Sequence, residues 1–262
     1  MQDRVAMTVA DGIADVRMNR PEKLNALDPA MFDALIDTIE RLGTVADLRA
    51  VVLSGEGRGF CAGLDMASMT GGTAALDDRA HGIANRYQQV AWGWRTLPVP
   101  VIAALHGPVL GGGLQIASGA DIRIAAPDTR LSVMELKWGI VPDMAGHVLW
   151  RGLVRADLLR ECIYTAREFD GEEAARLGFV TRIAADPLAE AMALARAIAG
   201  RNPDAIRAAK RLAARAAEAG AEAVLAAEAR EQAALIGSAN QMEAVRANLS
   251  GRAPVFTDQT IF

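Results

Sequence analysis

The sequence predicts an α/β fold: a core of mostly parallel strands joined by helices, followed by a helical C-terminal region. Three observations carry this. Short apolar runs that read as strands alternate with segments of helical period. Two glycine-rich turns, Gly55 to Gly63 and Gly111 to Gly113, each follow such a run. From Asp186 onward strand signals stop, and alanine and arginine dominate. The expected division is therefore an α/β core over residues 1–185 and a helical region over residues 186–262.

Each element has a local reason. Val5 to Val9 and Ile13 to Met18 flank Asp11-Gly12, a hairpin signal. Asp28-Pro29 reads as a helix cap followed by proline at the first helical position, and Phe32, Leu35, Ile36, Ile39 and Leu42 follow on one face. Val51 to Leu53 is a compact strand. Residues 66–80, rich in small and polar types, read as a mobile loop, and a helix is expected from His81 to Leu97. Val101 to Leu105 and Ile122 to Ala125 are further strands, with a helical run from Leu114 to Ser118 between them. Asp143 is placed to cap a helix running through His147 to Arg155. Asp186-Pro187 and Asn202-Pro203 open helices, Gly200 and Gly220 close them, and Ser238 to Gln241 fits a capping box. These alanine-rich helices have faces too small for a generous core of their own. They should pack on the α/β core or on other subunits.

Of the 262 residues, 52% are hydrophobic, enough for a large buried core. The net charge of −4 argues against a nucleic-acid binder. No apolar run approaches the roughly 20 residues needed to cross a bilayer, so no membrane partner is expected. Two cysteines, Cys61 and Cys162, are not a disulfide framework. With no apolar signal core after Met1, the expected location is cytoplasmic. His81, His106 and His147 have no metal-ligand spacing, and no metal is expected.

The glycine turns carry the chemistry. One runs Gly55-Glu56-Gly57-Arg58-Gly59-Phe60-Cys61-Ala62-Gly63-Leu64-Asp65-Met66, the other Gly107-Pro108-Val109-Leu110-Gly111-Gly112-Gly113. Neither is a P-loop or a dinucleotide fingerprint. Two loops that each follow a strand could each give one backbone donor to the same oxygen.

With Asn19 to Leu27, Phe60 to Asp65, His106 to Gly113, Ala120 to Ala125, Glu135 to Pro142 and Ala174 to Val180, the chain resembles the crotonase family of enoyl-CoA hydratases and isomerases. The resemblance implies a spiral of ββα units. It implies that the N–H groups of Leu64 and Gly112 hold a thioester oxygen. It also implies that Lys23, Leu24 and Ala26, with Ala62, Gly63, Asp65, Met66 and Gly111, line the path of an acyl-CoA substrate, and no cofactor beyond that thioester. Phe256, in the tail motif Arg252, Pro254, Phe256, is implied to reach a CoA pocket, and homotrimers or hexamers are implied through the C-terminal helices.

The reaction is less determined. Hydratases of this family use two glutamates; here the first position is Gln115 and the second Glu135. An amide cannot serve as a general base, though it can orient water or a substrate group. Asp143 stands where such hydratases have glycine. In this it resembles dienoyl-CoA isomerases, which also carry an acid at the position of Gln115. The leading expectation is an isomerase moving a proton through Glu135 and Asp143. The alternatives are a hydratase using Glu135 with Gln115 holding water, and a catalytically silent acyl-CoA binder. Asp143 also matches the nucleophile of 4-chlorobenzoyl-CoA dehalogenases, but those have tryptophan at the position of Glu135.

Overall fold

The computed structural model describes residues 3–68 and 76–257. Part of the expected mobile loop, residues 69–75, lies outside the described residues.

β1 (Val5–Ala10) and β2 (Ile13–Met18) form the hairpin, with Asp11 at φ 52° and Gly12 at φ 73°. Positive φ at both central residues is what a tight hairpin needs. α1 (Pro29–Thr44) begins where the Asp28 carboxylate accepts from the Met31 N–H, and it buries Phe32, Leu35, Ile36, Ile39 and Leu42. β3 (Ala50–Gly55), α2 (Arg86–Thr96), β4 (Val101–Leu105), β5 (Pro108–Leu110), α3 (Gly112–Ser118), β6 (Ile122–Ala125) and β7 (Arg130–Ser132) follow. Next come α4 (Gly146–Trp150), α5 (Ala156–Thr165), α6 (Gly171–Leu177) and β8 (Arg182–Ile183). α7 (Pro187–Ala199), α8 (Pro203–Ala216), α9 (Ala221–Leu235) and α10 (Ala239–Ser250) are the last elements among the described residues.

The main sheet has the order β1-β2-β3-β4-β6-β8, parallel except at the hairpin. A smaller sheet pairs β5 with β7 and is extended by bridges from Cys61 to Val109 and from Leu131 to Phe169. Successive turns of chain thus place one segment in each sheet: β3 then Cys61, β4 then β5, β6 then β7. This is the expected spiral of ββα units.

Alternation along the strands fills two layers. Val51 and Leu53 join the large core under α1 and α2, while Ala50 and Val52 face Ala191, Ala195 and Ala199 of α7. The small faces of α7 let it lie close on the sheet. β3 and β4 are parallel neighbours, with Leu53 opposite Ala103. The loops that leave their C-terminal ends therefore emerge side by side, the usual place for a site in such sheets.

Four local expectations are corrected. The helix expected from His81 starts at Arg86, because Asn85 and Gln88 form a full capping box there and His81 instead bridges to Ala84. Gly220 does not close a helix: α8 ends at Ala216, and Gly220 precedes α9. The Ser238 hydroxyl accepts from Gln241 N–H, but the Gln241 amide accepts from Gly237 rather than closing the box. Asp143 does not cap a helix. α4 starts at Gly146 after Ala145 in the left-handed region, with no side-chain cap, and ends at Trp150.

Candidate active site

The first glycine loop is held by a buried asparagine. The Asn25 amide donates to the carbonyls of Glu56 (3.0 Å) and Gly59 (2.8 Å), and its oxygen accepts from Arg20 N–H. Ala62 N–H donates to Leu24 O, and Leu27 N–H to Gly63 O. Asp65 N–H donates back to Leu27 O. Residue 27 is thus bonded on either side of Leu64, so by strand alternation the Leu64 N–H points away from it.

The second loop is knitted to the first. Cys61 N–H donates to Pro108 O and Leu110 N–H to Cys61 O, both at 3.0 Å. Gly63, at φ 87°, packs so tightly that a Cβ there would lie 2.7 Å from Leu110 O and 3.7 Å from Gly112 N. The residue before Leu64 therefore abuts the start of α3, where the first N–H groups have no intrahelical partner. Neither Leu64 N–H nor Gly112 N–H donates to another group among the described residues.

Both residues line a crevice of about 450 Å³, open mouth included, with Ala62, Gly63, Met66, Gly111 and Glu135. Two free, preorganised donors beside one space suit an oxygen that gains negative charge.

Glu135 sits on a 3-10 turn, Glu135–Trp138, and is only 6% exposed. Its Oε1 accepts from Gln115 Nε2 at 2.6 Å, while its Oε2 is buried without a partner among the described residues. Burial pushes this carboxyl up from its ordinary value, and the nearby charge of Asp143 raises it further. Asp143 is exposed as a residue, yet partial desolvation of its carboxyl moves it up too.

Gln115, 1% exposed, is not on the crevice surface. Its oxygen accepts from Met144 N–H and Gly146 N–H, each at 2.9 Å, and its nitrogen donates to Glu135. The amide expected to orient a substrate or water is instead bonded to protein on both ends.

A search with family models matches residues 8–259 to enoyl-CoA hydratase/isomerase. The chain belongs to this family. Human mitochondrial Delta(3,5)-Delta(2,4)-dienoyl-CoA isomerase is 32% identical over 210 residues, 76% of this chain and 64% of that protein. The chain thus matches just under two thirds of that relative's length. A probable enoyl-CoA hydratase of Bacillus subtilis is 34% identical over 75% of each chain. Among solved structures, a putative enoyl-CoA hydratase from Streptomyces coelicolor superposes with a TM-score of 0.89 at 30% identity, covering 98% of this chain and 94% of that one.

Within this family frame the expected residues fall into four groups. Leu64, Gly112, Gly111, Gly63, Ala62, Met66 and Glu135 converge on the crevice. Leu24 and Ala26 do not line it but flank Asn25 in the adjoining strap, with Lys23 exposed on the preceding turn. Asp65 pairs with Arg20 at 2.8 Å, and that guanidinium holds its carboxyl below the usual carboxylate range. Phe256 is elsewhere: it lines a separate cleft with Pro254, Arg201 and Asn202.

Leu110, Met134, Trp138 and Ile140 also line the crevice and were not anticipated from the sequence. Trp138 and Ile140 are 53% and 44% exposed. In sequence an exposed apolar residue looks like a buried one, and only its place beside the crevice distinguishes it.

Among the described residues, no group of three or more His, Cys, Asp and Glu side chains is arranged to hold a metal ion. No helix among them is long and apolar enough to cross a membrane.

Proposed function

We propose that the protein is an acyl-CoA isomerase that stabilises a thioester enolate and shifts a double bond by proton transfer through Glu135 and Asp143. The observation that carries this reading is the Glu135 carboxyl: on a residue that lines the crevice, buried, pushed up, with one oxygen unbonded among the described residues, an amide instead of an acid at position 115, and a second carboxyl nearby. Asp143 is free for chemistry, since it caps no helix.

Leu64 and Gly112 N–H groups donate to the thioester oxygen. They stabilise the enolate more than the ground state, which is the requirement for rate enhancement. Asp143, the more exposed acid, is the carboxylate; Glu135, buried beside it, holds the proton. Asp143 removes a proton from one carbon, and the electron pair of that C–H bond moves toward the thioester oxygen. Glu135 then gives its proton to a carbon further along the chain as the electron pair returns. One proton is lost and one gained, so substrate and product are isomers and water does not enter. A proton passed from Asp143 to Glu135 resets the site.

The chemistry needs no cofactor beyond the coenzyme A of the substrate. Lys23 suits its phosphates, and Leu24, Ala26, Ala62, Gly63, Asp65 and Met66 flank its path. Leu225, Ile236 and Leu249 in the C-terminal helical region are 64%, 66% and 85% exposed, which supports contacts with other copies in a trimer or hexamer. Two free, buried cysteines fit a cytoplasmic location.

Incubation with 3,5-dienoyl-CoA and with crotonyl-CoA, followed by ultraviolet absorbance, tests the reading. Turnover of the dienoyl thioester with slow or no hydration of crotonyl-CoA is expected. Rapid hydration of crotonyl-CoA would overturn it in favour of a hydratase. Tight acyl-CoA binding without turnover would make the protein a silent binder. Asp143→Asn should lower isomerase kcat by about 100-fold or more, the scale of a lost general base.

A further inference from the structure

We infer that Gln115 is a positioning residue that fixes the Glu135 proton on Oε2 and pins the backbone that carries Asp143. The inference rests on the proposed proton-transfer reading and specifies which oxygen acts in it.

The orientation of the Gln115 amide is not free. Two backbone N–H groups, from Met144 and Gly146, converge on its Oε1. Turning the amide over would set donors against donors, so Nε2 must face Glu135. Nε2 donates to Glu135 Oε1 at 2.6 Å. A proton on that oxygen would confront an N–H donor. The proton of neutral Glu135 therefore sits on Oε2, the oxygen without a partner. Oε2 is thereby loaded as a donor in a residue that lines the crevice with Leu64 and Gly112.

The same amide oxygen anchors the opposite partner. Met144 and Gly146 flank Ala145, which is held at φ 67°. Their bonds to Gln115 fix the turn that immediately follows Asp143. One buried side chain thus sets the proton position of the acid and the backbone position of the base.

An acid at position 115 would do something different. It could accept the same two N–H bonds, but it would place oxygen against oxygen at the 2.6 Å contact. Two carboxyls that close share a proton between them. That proton would lie on the Oε1 side of Glu135, away from Oε2. The amide at 115 is what keeps the proton on Oε2.

The test compares wild type with Gln115→Glu and Gln115→Met in the full chain. Isotope-edited infrared spectra report the Glu135 carbonyl, and pH profiles report kcat and KM separately for 3,5-dienoyl-CoA. Gln115→Glu should lower kcat by about 10- to 100-fold, the scale of impaired acid catalysis, while KM moves little. Its acid-side limb should move to higher pH, and a far-downfield proton resonance should mark the shared proton. Gln115→Met, nearly the same shape, should shift the Glu135 carbonyl band toward that of an unbonded acid even if the glutamate variant folds poorly. Wild-type kcat, pH profile and infrared band in both variants would overturn the inference. If wild type turns over no enoyl-type thioester but the bands shift as described, the positioning stands and the isomerase reading falls. If wild type turns over and the bands do not move, only the positioning fails.

Discussion

Replacing Gly63 by alanine should damage the site through a displacement that can be sized from the structure. Gly63 is at φ 87°, where an L side chain costs roughly 1–2 kcal/mol. The added Cβ would also lie 2.7 Å from Leu110 O, against about 3.4 Å for ordinary contact. The two loops must part by roughly 0.7 Å between Gly63 and Leu110, close to Leu64 and Gly112, the two proposed donors. Such donors act within a few tenths of an ångström of 2.9 Å, so the shift amounts to losing one. The expected loss is about 10²–10³ in kcat. Unfolding free energy should fall by about 1–3 kcal/mol. Gly237→Ala is the control: φ is 79°, but nothing lies within 4 Å of the added atom. It should show the backbone cost in urea unfolding and leave kcat unchanged. Equal kcat in the Gly63→Ala and wild-type enzymes would refute the argument that this contact sets the spacing of the donors.

Other consequences follow from the same geometry. Glu135→Gln should gain stability over wild type as pH rises from about 4.5, the ordinary glutamate value, because a carboxyl raised in the folded state loses stability when it ionises. Thermal melts at stepped pH check this, and a difference that shrinks with rising pH would contradict it. Asn25→Ala leaves two carbonyls and one N–H unpaired at a fully buried position, so unfolding free energy should drop by about 3 kcal/mol with an unchanged urea m-value. Burial pushes the Cys61 thiol up to about 12, and Cys162 is raised as well. A thiol reagent at pH 8 should therefore label neither in the folded protein and both in urea.

Local signals carried much of the fold. Asp11-Gly12 specifies its hairpin because only the backbone at those two residues decides it. Asp28-Pro29 and the spacing of Phe32, Leu35, Ile36, Ile39 and Leu42 specify α1, since capping and one apolar face are both properties of a dozen neighbouring residues. Val101 to Leu105 and Ile122 to Ala125 were legible as strands to the residue. The short strands β5 and β7 were not: three residues carry no period, and they exist because each pairs with the other. Asp143 misled for a related reason. Its spacing fits a helix cap, but the Gln115 amide 28 residues earlier captures the backbone that a cap would have served.

The sequence by itself determined the α/β class, the two glycine loops after strands, the family, and the amide at position 115 where an acid would permit hydration. Those are matters of residue type and local order. Only the tertiary structure decided that β3 and β4 lie side by side, so that Leu64 and Gly112 share one crevice. It alone decided that Gln115 is bonded to Glu135 and to the turn after Asp143, rather than left free for a ligand. Both outcomes depend on contacts between segments far apart in the chain, whose geometry no local pattern encodes.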